Sequence, residues 1–168
     1  GFFSDSFKDL YPFTSLYFDL NPYKLHYLDE GEGEVLLFLH GNPTWSFYYR
    51  SLIQNFQGRY RCIAPDHIGF GFSDKPQDYS YTLTTHIDNL EKLVDFLGLK
   101  NITLMVHDWG GAIGMGLAVR KPELIKRLVL FNTASFLSMD IPLLIGLCRM
   151  PLLGTILIRY LNLFVRGV

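Results

Sequence analysis

The sequence predicts an α/β fold in which a mostly parallel sheet carries helices on both faces. Apolar, strand-like runs alternate along the chain with amphipathic, helix-like segments, which is the pattern of such folds. The run at residues 35–39 is apolar on both of its faces, as is typical of a central parallel strand. A turn signal at residues 21–23 separates two further strand-like segments, so we also expect an N-terminal β-hairpin.

The predicted elements follow one another in a regular order. The hairpin takes residues 16–20 and 24–28, and a helical stretch at residues 46–56 follows the central strand. The remaining elements alternate between strand and helix: a strand at residues 61–64, a helix at 84–97, a strand at 102–106, a helix at 111–120 and a strand at 127–131.

Composition and charge exclude several classes of protein. The chain has 168 residues, and 15 Lys and Arg against 16 Asp and Glu leave a formal net charge of −1. A nucleic-acid binder would show a basic excess, and a content of 49% hydrophobic residues is incompatible with a disordered chain. Cys62 and Cys148 are too few for a disulfide framework, so we expect reduced thiols and a cytoplasmic protein.

The C-terminal segment, residues 141–168, is strongly apolar but is not predicted to span a membrane. Arg149 and Arg159 divide it into shorter apolar pieces, and Pro142 and Pro151 lie within it. A spanning helix needs about 18 or more consecutive apolar residues, which these interruptions exclude.

Three predicted strands end in segments that contain chemically active side chains: His40-Gly41-Asn42-Pro43, Pro65-Asp66-His67-Ile68-Gly69 and Val106-His107-Asp108-Trp109-Gly110-Gly111. Because the carboxyl ends of parallel strands meet at one edge of a sheet, ligand-binding groups collect there. We therefore expect a functional site at this edge. Asp66 and Asp74 are expected to hold the glycine-rich loop between them through local hydrogen bonds.

The third segment has the pattern of a nucleophile elbow, a sharp strand-to-helix turn that exposes its central side chain. Such elbows usually present Ser in the pattern G-x-S-x-G, whereas here Asp108 occupies the central position. A carboxylate that attacks a saturated carbon forms an ester, which water can hydrolyse, while Ser would form an inert ether. The alternative interpretation is that Asp108 only caps the following helix, but the two other strand ends favour the elbow.

Two of these segments, residues 40–46 and 106–111, together resemble the haloalkane dehalogenase branch of the α/β-hydrolase family, over about residues 12–136. The resemblance implies an α/β-hydrolase fold and an enzyme whose Asp displaces halide from a haloalkane through a covalent alkyl ester, which is then hydrolysed. Carried onto this sequence, Asp108 is the nucleophile. The backbone N–H groups of Asn42 and Trp109 form the oxyanion hole, and the side chains of the same two residues hold the departing halide.

The resemblance also defines the expected ligands and the pocket. A small hydrophobic substrate and a halide ion are the implied partners, and no cofactor is implied. No cluster in the sequence has metal-ligand spacing, so no metal is predicted. Trp45 and Phe136 are candidate pocket-lining residues.

Several alternatives remain within and outside this branch. The β-lactone decarboxylases of bacterial olefin synthesis stand nearly level with the dehalogenases, because residues 66–76 and 131–136 look like theirs and like the third dehalogenase subfamily; there the same Asp opens a four-membered lactone and CO₂ leaves. Epoxide hydrolases share the Asp but usually carry an aromatic residue in place of Asn42, and fluoroacetate dehalogenases carry Arg in place of Trp109. A non-enzymatic alternative is a truncated homologue that acts as a binding module.

The base and the acid of the family mechanism are not found in the sequence. Asn132 stands where one dehalogenase subfamily has its Glu acid. None of the five histidines is at a plausible base position: His26, His40, His67, His86 and His107. We therefore expect an N-terminal fragment without turnover of its own, in which residues 1–138 form part of the hydrolase core and residues 139–168 begin a helical cap.

Overall fold

The computed structural model describes residues 5–133, 143–150 and 153–162. The chain divides into two compact units, Gly1–Ser135 and Phe136–Val168, which are described separately below. The assignment of residues 139–168 to the start of a helical cap stays a prediction.

The described part of the first unit is built on a six-stranded sheet in the order β1-β2-β4-β3-β5-β6. Its strands are β1 (Leu16–Asp19), β2 (Lys24–Glu30), β3 (Glu34–Leu39), β4 (Tyr60–Pro65), β5 (Ile102–His107) and β6 (Ile125–Phe131). The β1–β2 and β2–β4 pairs are antiparallel, whereas β3 pairs parallel with both β4 and β5, and β5 pairs parallel with β6. The predicted hairpin and the mostly parallel sheet are both confirmed.

Three helices connect the strands in the expected places: α2 (Arg50–Phe56), α3 (Leu83–Phe96) and α4 (Trp109–Arg120), with 3-10 turns at Ser46–Tyr49 and Pro122–Leu124. A further helix, α1 (Asp5–Leu10), precedes β1. The helical stretch predicted at residues 46–56 is thus divided between a 3-10 turn and α2. The sequence analysis did not predict α1, whose six residues are too few to show a helical period.

The central strand β3 is buried because helices cover the sheet on both faces. Leu37 and Leu39 belong to the core that α3 and α4 complete, whereas Phe38 faces the opposite core, beside Tyr49 and Cys62. All five side chains are nearly or completely buried. The alternation of β3 residues between two cores explains why residues 35–39 are all apolar.

The described residues of the second unit form short helical pieces. These are α5 (Leu143–Cys148), α6 (Leu153–Thr155) and a π-helical turn at Ile156–Tyr160. None of the helices that the structure describes combines the length and the hydropathy that crossing a bilayer would require.

A buried carboxylate ties the hairpin to the loops at the carboxyl edge of the sheet. Asp66 Oδ1 accepts the backbone N–H of Ser46 over 2.8 Å, and Oδ2 accepts that of Phe72 over 2.9 Å. Nδ1 of His26 lies 2.9 Å from Oδ2, and both side chains are fully buried. The bond to Phe72 confirms the local contact expected for Asp66. Asp74 Oδ2 instead accepts the backbone N–H of Lys24 over 2.8 Å, a contact with the hairpin rather than within the loop. Burial acts to raise the pKa of Asp66, but the hydrogen bond and charge of His26 outweigh it and lower that pKa.

Replacement of Asp66 by Asn is expected to lower the free energy of unfolding by about 3–5 kcal/mol, because it removes a buried carboxylate that accepts two backbone N–H groups and faces the ring of His26. The matched control is Asp95→Asn, whose carboxylate meets Lys121 at the surface and whose loss costs about 1 kcal/mol or less. Urea unfolding measures both values, and equal losses in the two variants would contradict the prediction.

The pH dependence of this effect has a definite sign. Because the folded-state pKa of Asp66 is lowered, its stabilising contribution is complete above the unfolded-state pKa of about 4. The contribution disappears as the pH falls through the lower folded-state pKa. The difference in the free energy of unfolding between the wild type and Asp66→Asn should therefore shrink only under acidic conditions.

Candidate active site

The strand register brings the three predicted segments together at one edge of the sheet. In the β3–β5 pair Leu39 lies opposite Val106, so residues 40–42 and 107–109 continue side by side beyond the strands. In the β3–β4 pair Leu37 lies opposite Ile63, which places Asp66 and the residue after it beside His40. The three segments therefore lie at the carboxyl edge of the parallel strands, where ligand-binding groups collect in such sheets.

Asp108 occupies the turn between β5 and α4 in a strained backbone conformation. Its φ of 50° and ψ of −126° lie in a region that residues other than Gly rarely adopt. Its carbonyl oxygen accepts hydrogen bonds from the N–H of Gly111 over 2.9 Å and from the hydroxyl of Thr133 over 2.6 Å. The side chain makes no capping bond to α4, so Asp108 is not a conventional helix cap and its carboxylate is directed elsewhere.

Two glycines allow the backbone to pack this closely around the turn. A Cβ atom at position 41 would overlap the side chain of Asp108. A Cβ atom at position 110 would overlap the carbonyl groups of Leu39 and His40. Gly41 and Gly110 therefore fulfil the requirement for small residues beside an elbow.

The carboxylate of Asp108 is held by a main-chain donor from the neighbouring strand end. The backbone N–H of Asn42 donates to Asp108 Oδ1 over 2.7 Å, the kind of contact that an oxyanion hole provides. The backbone N–H of Trp109, the other predicted donor, makes no bond to this carboxylate within the described residues. The structure thus brings Asp108, Asn42 and Trp109 together. In the part of the chain that is described, Oδ2 of Asp108 has no hydrogen-bond partner.

A pocket of about 260 Å³ opens at this edge of the sheet. Its lining residues are Asn42, His67, Phe70, Tyr81, Leu83, His86, Trp109 and Ile113. The side-chain amide of Asn42 and the indole N–H of Trp109 are not hydrogen-bonded to any described residue, so both donors are available to a ligand. Among the described residues, no group of three or more His, Cys, Asp or Glu is arranged to hold a metal ion.

The two predicted pocket-lining residues have different outcomes. Trp45 is not among the residues that line this pocket. Its ring stacks on those of Phe7 and Phe47, with centroid distances of 6.3 and 5.4 Å, and meets Phe72 edge-on at 5.0 Å. Phe136 lies outside the described residues.

His40 has both of its ring nitrogens occupied. Nδ1 lies 2.9 Å from the carbonyl oxygen of Gly41, and Nε2 lies 2.9 Å from the backbone nitrogen of His67. Because Nε2 accepts the N–H of His67, the proton of the neutral ring must be on Nδ1, which donates to Gly41. Burial lowers the pKa of His40 despite the opposing charges of Asp66 and Asp108. His40 therefore fixes the shape of the turn.

His67 and His86 line the pocket with ring nitrogens that have no partner. Nε2 of His67 and Nδ1 of His86 are buried, and neither has a hydrogen-bond partner among the described residues. Burial, and then the charge of His40, lower the pKa of both side chains, that of His67 to well below its usual value, so the rings are neutral.

The sequence analysis did not identify these two histidines as pocket residues. His67 is the second residue after the end of β4, and this position near a strand end was the signal that could have assigned it to the site. His86 lies in the first turn of α3, and no comparable sequence signal marked it.

Comparisons with known proteins identify relatives of the chain. A sequence model of the family described as alpha/beta hydrolase fold matches residues 34–155. A cis-3-alkyl-4-alkyloxetan-2-one decarboxylase of Shewanella oneidensis is 54% identical over 161 residues, which cover 92% of this chain and 51% of that protein. Haloalkane dehalogenase 2 of Mycobacterium tuberculosis is 45% identical over 124 residues, which cover 74% of this chain and 43% of that protein.

A solved structure gives the same assignment at the level of the fold. The haloalkane dehalogenase DatA of Agrobacterium tumefaciens superposes with a TM-score of 0.79 at 30% identity, over 91% of this chain and 54% of that chain. The chain spans about half the length of the curated relatives it matches.

Replacement of Thr133 by Val is expected to lower the free energy of unfolding by about 1 kcal/mol, because the turn at Asp108 then loses a partly buried hydroxyl donor at nearly constant volume. Thr133→Ser keeps the hydroxyl and is the matched control, with a smaller expected loss. Urea unfolding compares the two, and a Ser variant less stable than the Val variant would contradict the assigned role of the hydroxyl.

Proposed function

The chain belongs to the alpha/beta hydrolase fold family, as its motifs implied, and from this membership we propose that the protein is an enzyme whose Asp108 attacks a saturated carbon atom of its substrate. The observation that carries this proposal is the geometry of Asp108. The residue stands on a strained turn with Oδ1 held by the backbone N–H of Asn42, which leaves Oδ2 as the attacking atom. The N-terminus of α4 adds a favourable field for the carboxylate.

The substrate that we propose first is a β-lactone with two alkyl substituents. The Shewanella oneidensis relative, named for the decarboxylation of oxetan-2-ones, has a higher identity than the dehalogenase and covers more of this chain. An oxetan-2-one is a four-membered cyclic ester. Its ring oxygen joins the carbonyl carbon to an alkyl-substituted ring carbon, which is saturated and part of a strained ring. Attack at that carbon releases ring strain and expels the ring oxygen as a carboxylate.

The proposed reaction balances without water, a proton or a cofactor. Oδ2 of Asp108 forms a bond to the alkyl ring carbon while the bond from that carbon to the ring oxygen breaks. In the second step the carbon–carbon bond to the new carboxylate breaks, and its electron pair forms the alkene. Asp108 leaves as a free carboxylate and CO₂ is released. Inversion in the first step followed by anti elimination in the second converts a cis lactone into a cis alkene.

A haloalkane is the second candidate substrate, and the free donor pair favours it. The amide of Asn42 and the indole N–H of Trp109 line the pocket without partners in the described residues, and both can donate to a departing halide. The first step is the same attack by Asp108. The resulting alkyl ester must then be hydrolysed by an activated water, so this reaction needs a general base that the lactone reaction does not.

We propose the cytoplasm as the location of the protein. The support is that Cys62 and Cys148 are both free, and Cys62 is buried. Unpaired thiols are the usual state in a reducing compartment.

Replacement of Asp108 by Asn in the natural gene product is expected to reduce both lactone opening and halide release by about 10³-fold or more, because the amide is a poor nucleophile. Asp78→Asn, at an exposed site, is the matched control and should keep full activity. The assay measures CO₂ and cis alkene from a cis-3,4-dialkyl oxetan-2-one, and halide from a primary bromoalkane. Unchanged activity in the Asp108 variant would contradict the proposal.

Labelled water separates the two candidate reactions. In water enriched in oxygen-18, the lactone reaction should release CO₂ that carries only lactone oxygen at the moment of formation. Hydrolysis of a haloalkane should instead place solvent oxygen in Asp108 and then in the alcohol product. Label in Asp108 after turnover of the lactone would exclude the direct loss of CO₂ proposed here.

A further inference from the structure

The pocket beside Asn42 and Trp109 has room for one part of a substrate with two alkyl chains. Its volume of about 260 Å³ lies below the range of about 300–1,000 Å³ for pockets that enclose a drug-sized ligand. Asp108 is not among its lining residues, but Asn42, whose backbone N–H bonds to Asp108, and Trp109, the next residue along the chain, both line it. The pocket therefore begins beside the nucleophile and extends away from it.

The pocket follows the first two turns of α4. Trp109 and Ile113 are four residues apart on this helix, so their side chains lie on one face of it, about 6 Å apart along its axis. Trp109 is 47% exposed, whereas Ile113 is 2% exposed and belongs to the core that α3 and α4 complete. Trp109 therefore marks the open end of the pocket, beside the nucleophile, and Ile113 marks its closed end.

The walls between these two ends are uncharged and largely apolar. Phe70 and Leu83 contribute hydrocarbon side chains, and none of the lining residues is Lys, Arg, Asp or Glu. The hydroxyl of Tyr81 donates to the carbonyl oxygen of Pro76 over 2.8 Å, which leaves the ring of Tyr81 to line the pocket. Such walls suit an alkyl chain, which gains free energy from leaving water and has no polar atom to bind.

The two histidines of the lining do not alter this character. Burial lowers the pKa of His67 and of His86, so both rings are neutral. The proton of the His67 ring faces the backbone of His40. Nε2 of His67 and Nδ1 of His86 are themselves buried, so these nitrogens are not presented to the open space of the pocket.

The wall formed by Tyr81 is fixed by packing. A Cβ atom at position 69 would overlap the ring of Tyr81, so Gly69 allows this ring to lie against the loop. The ring of Tyr79 meets that of Tyr81 edge-on, with a centroid distance of 5.0 Å. With this wall fixed and the inner end closed by Ile113, the pocket limits the length of the chain that it can take up.

We propose that Ile113 is a specificity-determining residue: the pocket takes up the alkyl chain on the carbon that Asp108 attacks, and Ile113 stops the end of that chain. The inference rests on the proposed function and specifies which part of the substrate this pocket selects. It applies to both candidate substrates, because each has an alkyl chain on the attacked carbon. Each methylene buried in the pocket adds about fourfold to binding, whereas a chain that is too long meets the packed core.

The test measures kcat/KM of the natural gene product for a series of cis-3,4-dialkyl oxetan-2-ones. The chain at ring position 4, the attacked carbon, is lengthened one carbon at a time while the chain at position 3 is kept constant. Ile113→Ala removes three carbons from the closed end and is expected to shift the optimal length by about two carbons. The preference for that longer chain over the wild-type optimum should rise by about 10-fold or more.

Leu117→Ala is the matched control. Leu117 lies one turn further along α4, is fully buried in the same core and is not a lining residue of the pocket. Its truncation should reduce stability in a similar way but leave the optimal chain length as it is in the wild type. An optimum that Ile113→Ala does not move, or that both variants move equally, overturns the inference. A shift that appears only when the chain at position 3 is varied overturns it as well.

A milder variant and a binding measurement keep the inference testable. If Ile113→Ala does not fold, Ile113→Val, which removes one carbon, should still favour a chain one carbon longer by about fourfold. Calorimetric titration with unreactive linear primary alcohols measures binding without turnover, and the preferred length should shift in the same direction. A wild type that acts on neither lactones nor bromoalkanes, but shows this shift with alcohols, overturns the proposed function alone. An alcohol preference that is the same in the wild type and the variant overturns the inference.

Discussion

The strained turn at Asp108 is the constraint on which the rest of the site depends. A positive φ at a non-glycine residue persists only when the surroundings determine it, and here the carbonyl group of Asp108 is bonded by Thr133 from the end of β6 and by Gly111 from α4. The side chain is then aligned by the N–H of Asn42 from the end of β3. Three strand ends and one helix thus converge on a single residue, and the parallel register is what brings them there.

A buried polar framework fixes the loops around that turn. Asp66 bonds the backbone of Ser46 and Phe72 and pairs with His26 of the hairpin, so the loops after β3 and β4 are joined through one carboxylate. His40 continues the framework by accepting the N–H of His67 and donating to Gly41. The buried carboxylate of Asp66 does not line the pocket, and burial keeps the histidines that do line it neutral. The framework therefore fixes the loops without adding a charged side chain to the pocket lining.

The sequence predicted the fold and the strand ends well, because both follow from local patterns. An apolar strand that runs into Asp108 and glycines specifies a turn, and parallel pairing then places Asn42 beside it without further information. Side-chain direction beyond the strands was less predictable. Trp45 packs with Phe7 of α1, a helix too short to show a period, and His67 borders the pocket because the rings of His40 and His86 hold it there. Such orientations depend on packing between segments distant in sequence.

The two candidate reactions share their first step and differ in how Asp108 is recovered. A haloalkane leaves an alkyl ester that only an activated water can remove, so the nucleophile depends on a base elsewhere in the protein. In the proposed lactone reaction the leaving group stays attached to the substrate as a carboxylate, and the electrons released with CO₂ expel Asp108 directly. The described residues then offer a candidate for each demand of the proposed reaction: Asp108 as nucleophile, Asn42 and Trp109 as uncharged donors for the developing carboxylate, and a pocket lining without a Lys or Arg that would form an ion pair with it. This correspondence between the bond changes and the site is the physical reason to place the lactone first.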